Sequence, residues 1–224
     1  MSIQAKKYLE NFLEARNIKF LIEGLELDNY TLKGNEKKED GVLKFAYVGF
    51  LDDIHKGVGV LLKAIEEFLD ENKDLKIFFE IIGVGPLKSE VKKVEKKYPD
   101  LIRSMGYLTR EELVDSFKRN DVFLFSSRKE PFGRVIIEAL AANLIIICTR
   151  TIGSIEILRG KDFAFFLENL SVEQFKNKFK EIYNLWLTNP AYIKKLQGLA
   201  SEYAIEKYSI SKEIEAFTKF IENL

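Results

Sequence analysis

A doubly wound α/β fold, a parallel sheet with helices on both faces, is what this sequence predicts. Three observations predict it. From Val42 onward, short apolar runs alternate with longer stretches whose apolar residues recur at helical spacing. Repeated strand–helix units of this kind build a parallel sheet. Their crossovers are right-handed, which puts helices on both faces in a Rossmann-like arrangement. The length of 224 residues and the hydrophobic share of 46% suit one large globular domain or two small ones.

Residues 1–41 precede the pattern and read as a helix plus a linker. Tyr8, Leu9, Phe12 and Leu13 share one face of a predicted amphipathic helix over Ser2 to Arg16. Ile18 to Leu27 reads as extended, interrupted by Gly24. Leu32 to Gly41, charged and glycine-flanked, reads as an exposed linker. Residues 42–224 then form the domain proper. Strands are predicted at Leu43–Gly49, Lys76–Gly83, Ile102–Gly106, Asp121–Phe125, Leu144–Thr149 and Phe163–Leu167. Helices fit between them at Val58–Glu71, Leu87–Tyr98, Arg110–Asn120, Arg134–Asn143 and Ser154–Arg159. From Ser171 to Leu224 the chain turns helical, forming a C-terminal helical segment. Asn189-Pro190 ends one helix there and starts the next, because proline lacks a backbone donor but suits a first helical turn. Ser209 to Ser211 supplies caps for the last helix. The sequence holds neither internal repeats nor low-complexity segments.

Composition removes several classes of function. Charges balance, 35 basic against 35 acidic residues, where a general nucleic-acid binder would carry a basic excess. The single cysteine, Cys148, sits in an apolar run and reads as a core filler, so no intrachain disulfide framework exists. One cysteine also fits a reducing compartment. His55 is the only histidine, which leaves a three-His zinc site and a Ser-His-Asp triad elsewhere in the chain unsupported. No apolar run reaches the ~18 residues of a membrane span, and residues 2–16 do not read as a signal peptide. The expectation is a soluble, cytoplasmic protein.

Ligands of such sheets bind beyond the C-terminal ends of the strands, and four strand exits carry candidate chemistry. After the first strand, Lys56 stands where an ammonium could reach a phosphate oxygen, although taken alone it reads as a solvated surface lysine, and Asp52-Asp53 reads as a turn rather than a metal site. After the second, Gly83-Val84-Gly85-Pro86 lacks the third glycine of the dinucleotide fingerprint and reads equally as a tight turn. After the third, Tyr107 and Leu108 sit where a planar base rests or where the core continues, and Thr109 with Glu112 forms a capping box. After the fourth comes Glu130-Pro131-Phe132-Gly133-Arg134, with Glu138 further along the same apolar helical run. A helix that opens on glycine at a strand exit offers backbone N–H groups and its dipole to an anion. Two carboxylates bracketing that anion accept hydrogen bonds from hydroxyls, which points to a phosphate-linked sugar.

These motifs, in this order, resemble the C-terminal, donor-binding domain of GT-B glycosyltransferases, specifically the large retaining family 4. The resemblance covers roughly Leu43 to Leu224. It is carried by Lys56-Gly57, Gly83-Val84-Gly85-Pro86, Gly106-Tyr107-Leu108 with Glu111-Glu112-Leu113, Asn120-Asp121-Val122, Ser127 with Glu130-Pro131-Phe132-Gly133, and Glu138-Ala139-Leu140-Ala141. Thr149 through Gly153 to Glu156-Ile157 resembles the loop that follows. Leu21-Ile22-Glu23-Gly24-Leu25-Glu26 resembles the segment linking the two GT-B halves, and Ser2 to Arg16 the last helix of an N-terminal half. The resemblance implies that Glu138 binds the ribose of a UDP-, GDP- or ADP-linked sugar and that Glu130 contacts the sugar hydroxyls. It implies that the N–H groups of Phe132, Gly133 and Arg134 hold the diphosphate or sugar, and that Lys56 neutralises the departing pyrophosphate. Gly83, Gly85, Tyr107 and Leu108 would shape the nucleotide site. The implied reaction needs neither metal nor cofactor and retains anomeric configuration.

The departures also count. The arginine that the family places after the first strand's glycine is Phe50 here, which removes one of two cations from a diphosphate site. Arg128, Lys129 and Arg134 are candidates to replace it. Asn143 stands at a glycine position and suits a left-handed helix end. The resemblance implies an acceptor-binding half that the residues ahead of the first strand are too few to supply, so the isolated chain is expected to bind donor weakly and transfer nothing, being a domain of a longer protein or one half of a split enzyme. Peripheral membrane contact stays open, since many such enzymes modify lipid-linked acceptors. A degenerate, non-catalytic nucleotide- or partner-binding module is the alternative, favoured by Phe50. An NAD-dependent dehydrogenase has only an incomplete fingerprint, and nothing favours a nucleotide-sugar epimerase.

Overall fold

A computed structural model describes residues 24–31 and 41–222. The helix expected over Ser2 to Arg16, most of the extended segment after it and most of the charged linker lie outside the described residues. Six strands form one sheet: β1 (Leu43–Val48), β2 (Ile77–Ile82), β3 (Ile102–Gly106), β4 (Val122–Phe125), β5 (Ile145–Cys148) and β6 (Ala164–Phe166). All five pairings are parallel, and the order is β3-β2-β1-β4-β5-β6. Every residue of β4 and of β5 is buried, as continuous apolar runs require when helices cover both faces.

Strand order reverses between β1 and β4. The chain leaves β1 toward β2 and β3 on one side, and β4 toward β5 and β6 on the other. The loops after Val48 and Phe125 therefore splay apart and leave a crevice at this switch point.

Helices α1 (Val58–Glu71), α2 (Lys88–Lys97), α3 (Arg110–Arg119), α4 (Arg134–Ala141) and α5 (Ile152–Leu158) connect the strands. Then follow α6 (Val172–Thr188), α7 (Pro190–Tyr208) and α8 (Ile210–Glu222). On one face α6 returns to pack on α1. There the Phe179 ring meets Phe45 at 5.6 Å and Phe68 at 5.5 Å, while Phe45 and Phe79 stack at 4.8 Å. On the other face α7 packs on α4, and Phe117 of α3 meets Phe123 of β4 at 5.7 Å. Offset and edge-on aromatic pairs of this kind are favourable geometries.

Several local expectations hold. Thr109 and Glu112 form the capping box, with Glu112 N donating to Thr109 Oγ1 at 3.3 Å and Thr109 N donating to Glu112 Oε2 at 2.8 Å. Asn143 takes the left-handed conformation at φ 64°. Cys148 is fully buried, and burial pushes its thiol up. The helix expected from Ser154 starts two residues earlier, because Thr151 caps it and Ser154 completes the box. At α8, where the sequence predicts a serine cap, the Ser209 hydroxyl pairs with Ser211 Oγ at 2.9 Å instead of with a backbone N–H, and the Ser209 carbonyl takes the N–H groups of Lys212 and Glu213.

Leu25 to Tyr30, expected as interdomain linker, is strapped into the domain. Leu25 N donates to Tyr208 O at 2.8 Å and Leu25 O accepts from Ile210 N at 3.0 Å. Leu25, Leu27 and Tyr30 are all core residues, with the Tyr30 ring 6.1 Å from Phe117. Conversely, α8 exposes Ile210, Ile214, Phe217 and Ile221, spaced to share one helix face.

Candidate functional site

The loop from β4 to α4 is held at four points before it reaches the crevice. Ser126 Oγ donates to Lys56 O at 2.6 Å, Arg128 N donates to His55 O at 2.7 Å, and Thr149 Oγ1 donates to Ser127 O at 2.5 Å. Gly153 N donates to Glu130 O at 2.9 Å. Gly153 also packs so close to Phe132 that a methyl group there would lie 2.2 Å from the Phe132 carbonyl oxygen. The turn Glu130-Pro131-Phe132 thus rests on the start of α5.

Gly133 then caps α4 at φ 91° and ψ 49°, a left-handed conformation that glycine adopts without the Cβ clash most residues meet there. It brings no side chain to the cap, and the first turn of α4 holds no acidic residue. The positive end of this short helix therefore meets the crevice with no carboxylate of its own to neutralise it. Gly133 itself is buried, its neighbours Pro131 and Arg134 are exposed, and all but Pro131 line the crevice.

The crevice is a cavity of about 600 Å³. Its walls include Gly49 and Phe50 from the β1 exit, Lys56, Glu130, Phe132, Gly133, Arg134 and Glu138. Lys56 Nζ lies 2.8 Å from Glu130 Oε2, joining the two loops across the crevice. Lys56 is placed by the turn before it. Asp52 Oδ1 accepts from His55 N at 2.6 Å and Lys56 N at 3.3 Å, and these N–H groups, His55 first, hold the Asp52 carboxyl below the usual carboxylate range. Asp52 thus builds a turn, as expected. Among the described residues, no group of three His, Cys, Asp or Glu side chains is placed to hold a metal ion.

Glu138 lies one turn into α4, on the face toward the crevice. It is half-buried, and burial pushes its carboxyl above the ordinary glutamate range, opposed first by the charge of Arg134 and then by Arg110. Of the three arginines and lysines considered as replacements for the missing cation at Phe50, Arg134 lines the crevice. Arg128 instead donates from Nε to Asp53 O at 2.9 Å and pairs with Asp53 Oδ2 at 3.3 Å, which ties it to the β1 exit.

A second cavity of about 350 Å³ adjoins the first and shares Arg134, Glu138 and Leu113 with it. Tyr107 and Leu108 line this one, with Tyr107 79% exposed and available for stacking. Gly83 and Gly85 line neither cavity. A methyl group on Gly83 would lie 1.8 Å from Gly49 O, and one on Gly85 2.6 Å from Leu51 N, so these glycines let the β2 exit lie against the β1 exit. They shape the site by setting the loop that carries Phe50.

Sequence reasoning missed the strap and α3 as parts of the site. Glu26, Tyr30 and Arg110 line the second cavity beside Glu138. Arg110 stands inside a capping box and reads as structural, and the strap reads as a linker. The one usable signal was Tyr30, an aromatic residue just ahead of a charged stretch. A further cavity of about 540 Å³ lies at the opposite end of the sheet, where β1, β2 and β3 begin. Its buried carboxylate, Glu80, already accepts from Ser116 Oγ, from Arg119 Nη2 at 2.8 Å and from Asn120 Nδ2 at 2.8 Å. Ligands of this sheet type bind at the strands' carboxyl ends, so the switch-point crevice is the candidate site.

In class, then, this is a Rossmann-like domain with a crevice at the switch point. More particularly, residues 28–198 match the family described as glycosyl transferases group 1, and the chain belongs to that family. It is 26% identical over 225 residues to an uncharacterized glycosyltransferase, MJ1069, of Methanocaldococcus jannaschii, covering 96% of this chain and 55% of that one. It is 28% identical over 106 residues to the gpi3 subunit of phosphatidylinositol N-acetylglucosaminyltransferase of Schizosaccharomyces pombe, covering 46% of this chain and 23% of that one. The chain thus spans about half or less of the length of these relatives. Among solved structures, a glycosyltransferase from Rickettsia africae superposes with a TM-score of 0.76 at 18% identity, over 99% of this chain and 62% of that one. Anabaena Alr3699/HepE, solved with UDP and glucose, gives 0.73 at 14% identity, over 98% of this chain and 62% of that one. These superpositions establish the GT-B type of Rossmann-like fold.

Proposed function

We propose that this chain is the donor-binding half of a retaining glycosyltransferase that moves a sugar from a nucleotide sugar to an acceptor. One observation carries the reading: Lys56, Glu130, Glu138 and the Gly133 helix start share a single crevice at the switch point. A nucleotide sugar has three parts, and the crevice has a complement for each. The diphosphate sits at the start of α4, with Lys56 and Arg134 as cations. Glu138 accepts from ribose hydroxyls, and the second cavity takes the base against Tyr107 and Leu108. Glu130 accepts from sugar hydroxyls, and its pairing with Lys56 sets both side chains between sugar and phosphate.

The bond that breaks joins the anomeric carbon to the diphosphate oxygen, whose electron pair leaves with the diphosphate. The acceptor's hydroxyl oxygen forms the new bond to that carbon, and its proton passes to the departing diphosphate. Lys56 and the α4 N-terminus stand where that negative charge grows, so the chain stabilises the leaving group electrostatically and no residue in the crevice has to act as a metal ligand. The acceptor comes from the other half of the enzyme, on a longer chain or a separate subunit. Two observations support such a half: the chain spans about half or less of its curated relatives, and α8 exposes an apolar stripe. Among the described residues no helix is long and apolar enough to cross a membrane. Alone, the chain binds donor and transfers nothing.

Calorimetric titration with UDP, GDP and ADP tests this reading. Saturable binding of at least one of them is expected. If the folded chain binds none, the second reading takes over, a degenerate module without donor chemistry. The observation that favours it is Phe50, 53% exposed in the crevice wall where the family places a cation.

A further inference from the structure

The Lys56–Glu130 ion pair stands at the point of the crevice where the proposed function puts the bond between sugar and diphosphate. Lys56 Nζ lies 2.8 Å from Glu130 Oε2, and the two side chains are 28% and 19% exposed. Both partners hang from fixed backbone. Lys56 N donates to Asp52 Oδ1 at 3.3 Å, and Lys56 O accepts from Ser126 Oγ at 2.6 Å. Glu130 O accepts from Gly153 N at 2.9 Å, and Gly153 packs directly on Phe132. Opening the pair therefore takes side-chain rotation and not movement of either loop. The charged residues of the crevice wall are Lys56 and Arg134 against Glu130 and Glu138, two of each sign. A diphosphate that takes Lys56 thus meets a carboxylate that has just lost its ion-pair partner.

We propose that Glu130 selects the intact sugar nucleotide over the nucleoside diphosphate that transfer leaves behind. This rests on the donor reading above and adds the discrimination between donor and product. While paired with Lys56, the carboxylate cancels the charge that Lys56 offers a phosphate. Once unpaired, it stands as a second anion beside the diphosphate, and a partly buried carboxylate stripped of its partner is costly. A sugar on the diphosphate removes both penalties. It fills the space between the carboxylate and the phosphates, and its hydroxyls donate to the carboxylate oxygens in place of Lys56. The ammonium then turns to the phosphate. When the sugar has passed to the acceptor, the hydroxyl donors go with it, so the carboxylate reclaims Lys56 and loosens the remaining diphosphate. Selectivity of this kind comes from a repulsive group aimed at the wrong ligand, not from a contact to the right one alone.

Calorimetry tests the proposal, on the parent chain first. The probes are the tightest-binding of UDP, GDP and ADP, inorganic pyrophosphate, and that same nucleotide linked to glucose, mannose or N-acetylglucosamine. In the parent, the best of the three sugar nucleotides is expected to bind about fivefold more tightly than the nucleoside diphosphate, the factor set by one partly exposed charge pair. Glu130→Gln removes the charge with little change of shape, and Glu130→Ala removes the side chain beyond Cβ. Both are expected to tighten the nucleoside diphosphate and pyrophosphate by about fivefold, while the sugar nucleotide binds no more tightly than to the parent. Damage to the fold would weaken every probe, so a gain does not come from it. A parent that binds the nucleoside diphosphate as tightly as the best sugar nucleotide, or more tightly, overturns selection by Glu130 alone. Unchanged or weaker binding of the sugarless probes by the folded variants, or equal tightening of all probes, overturns it as well. A folded parent that binds neither nucleoside diphosphate nor sugar nucleotide overturns the donor-site reading and this selection with it.

Discussion

The helix starts of this domain fall into two groups. On the flanks, α3, α5, α6 and α7 begin with side-chain caps from Thr109, Thr151, Ser171 and Asn189. Beside the switch point, α1 and α4 begin with left-handed glycines, Gly57 and Gly133, that bring no capping side chain. Every helix start has the same need for acceptors. The flanking helices meet it from within the chain, as scaffold does. Of the two central ones, α1 has Val58 N donating to Asp52 O and Gly59 N to Asp53 Oδ1, whereas α4 leaves an electropositive end toward the crevice, where an anionic ligand can meet the need. α2 also starts without a side-chain cap, yet Leu87 N and Lys88 N donate to Leu51 O and Gly85 O. The contrast teaches that a missing cap is informative when it falls at a strand-order reversal.

Substitutions can break this contrast. The largest effect is expected from Gly153→Ala, where the new methyl group has no room against Phe132. Overpacking of this kind costs about 1–3 kcal/mol, and the displaced turn carries Glu130 with it. A lower melting temperature together with lost nucleotide binding, by calorimetry, is the expected pair of results.

Next comes Glu138→Ala. Hydrogen bonds to a charged group contribute about 1.5–3 kcal/mol, so nucleoside diphosphate affinity should drop by roughly 10- to 100-fold. Pyrophosphate should lose much less, and equal losses would refute a ribose role. Glu138→Gln adds a test by sign. Burial raises the folded-state carboxyl above its unfolded value, so the native state binds the extra proton. Stability then falls as pH rises through the ordinary glutamate range toward the raised value. Glutamine removes that loss, so the ligand-free variant should unfold at higher denaturant than the parent above this window, while binding nucleotide less well.

A smaller effect sharpens the other side of the comparison. Ser171→Ala removes a flank cap whose hydroxyl accepts from Gln174 N at 3.3 Å. It should cost about 1 kcal/mol of stability and leave nucleotide affinity where it was. The smallest effect expected is a gain. Phe50→Arg puts a cation into the crevice wall, where an exposed charge pair is worth up to about 1 kcal/mol, or about fivefold. Tighter pyrophosphate binding would support the diphosphate placement, and unchanged or weaker binding would argue against it.

Most of the fold was legible because the sequence repeats one signal. Apolar runs such as Ile145–Cys148 are too short for helices and too continuous for half-exposed strands. The α4 start was legible for a related reason. Pro-Phe-Gly between an apolar strand and an apolar helix has few other uses, and Glu130 and Glu138 flank it in sequence as they do in space. What could not be read depends on contacts between distant segments. Arg110 lies 28 positions from Glu138 and more than 80 from Glu26 along the chain, and its capping box gives it a sufficient local explanation. Gly153 looks like a loop glycine until Phe132 is seen against it. Gly83 and Gly85 read equally as ligand glycines or as a tight turn, and only the packing shows them serving the approach of one loop to another.

The central claim is that the start of α4 is an anion site. Amide shift mapping by ¹H–¹⁵N NMR tests it most directly, on titrating the chain with a nucleoside diphosphate. The account predicts that the largest changes fall on Phe132, Gly133, Arg134 and Val135, with Lys56 and Tyr107 next. Changes centred instead on Glu80, Arg103 and Arg119 at the opposite end of the sheet, or none at saturating nucleotide, would contradict it.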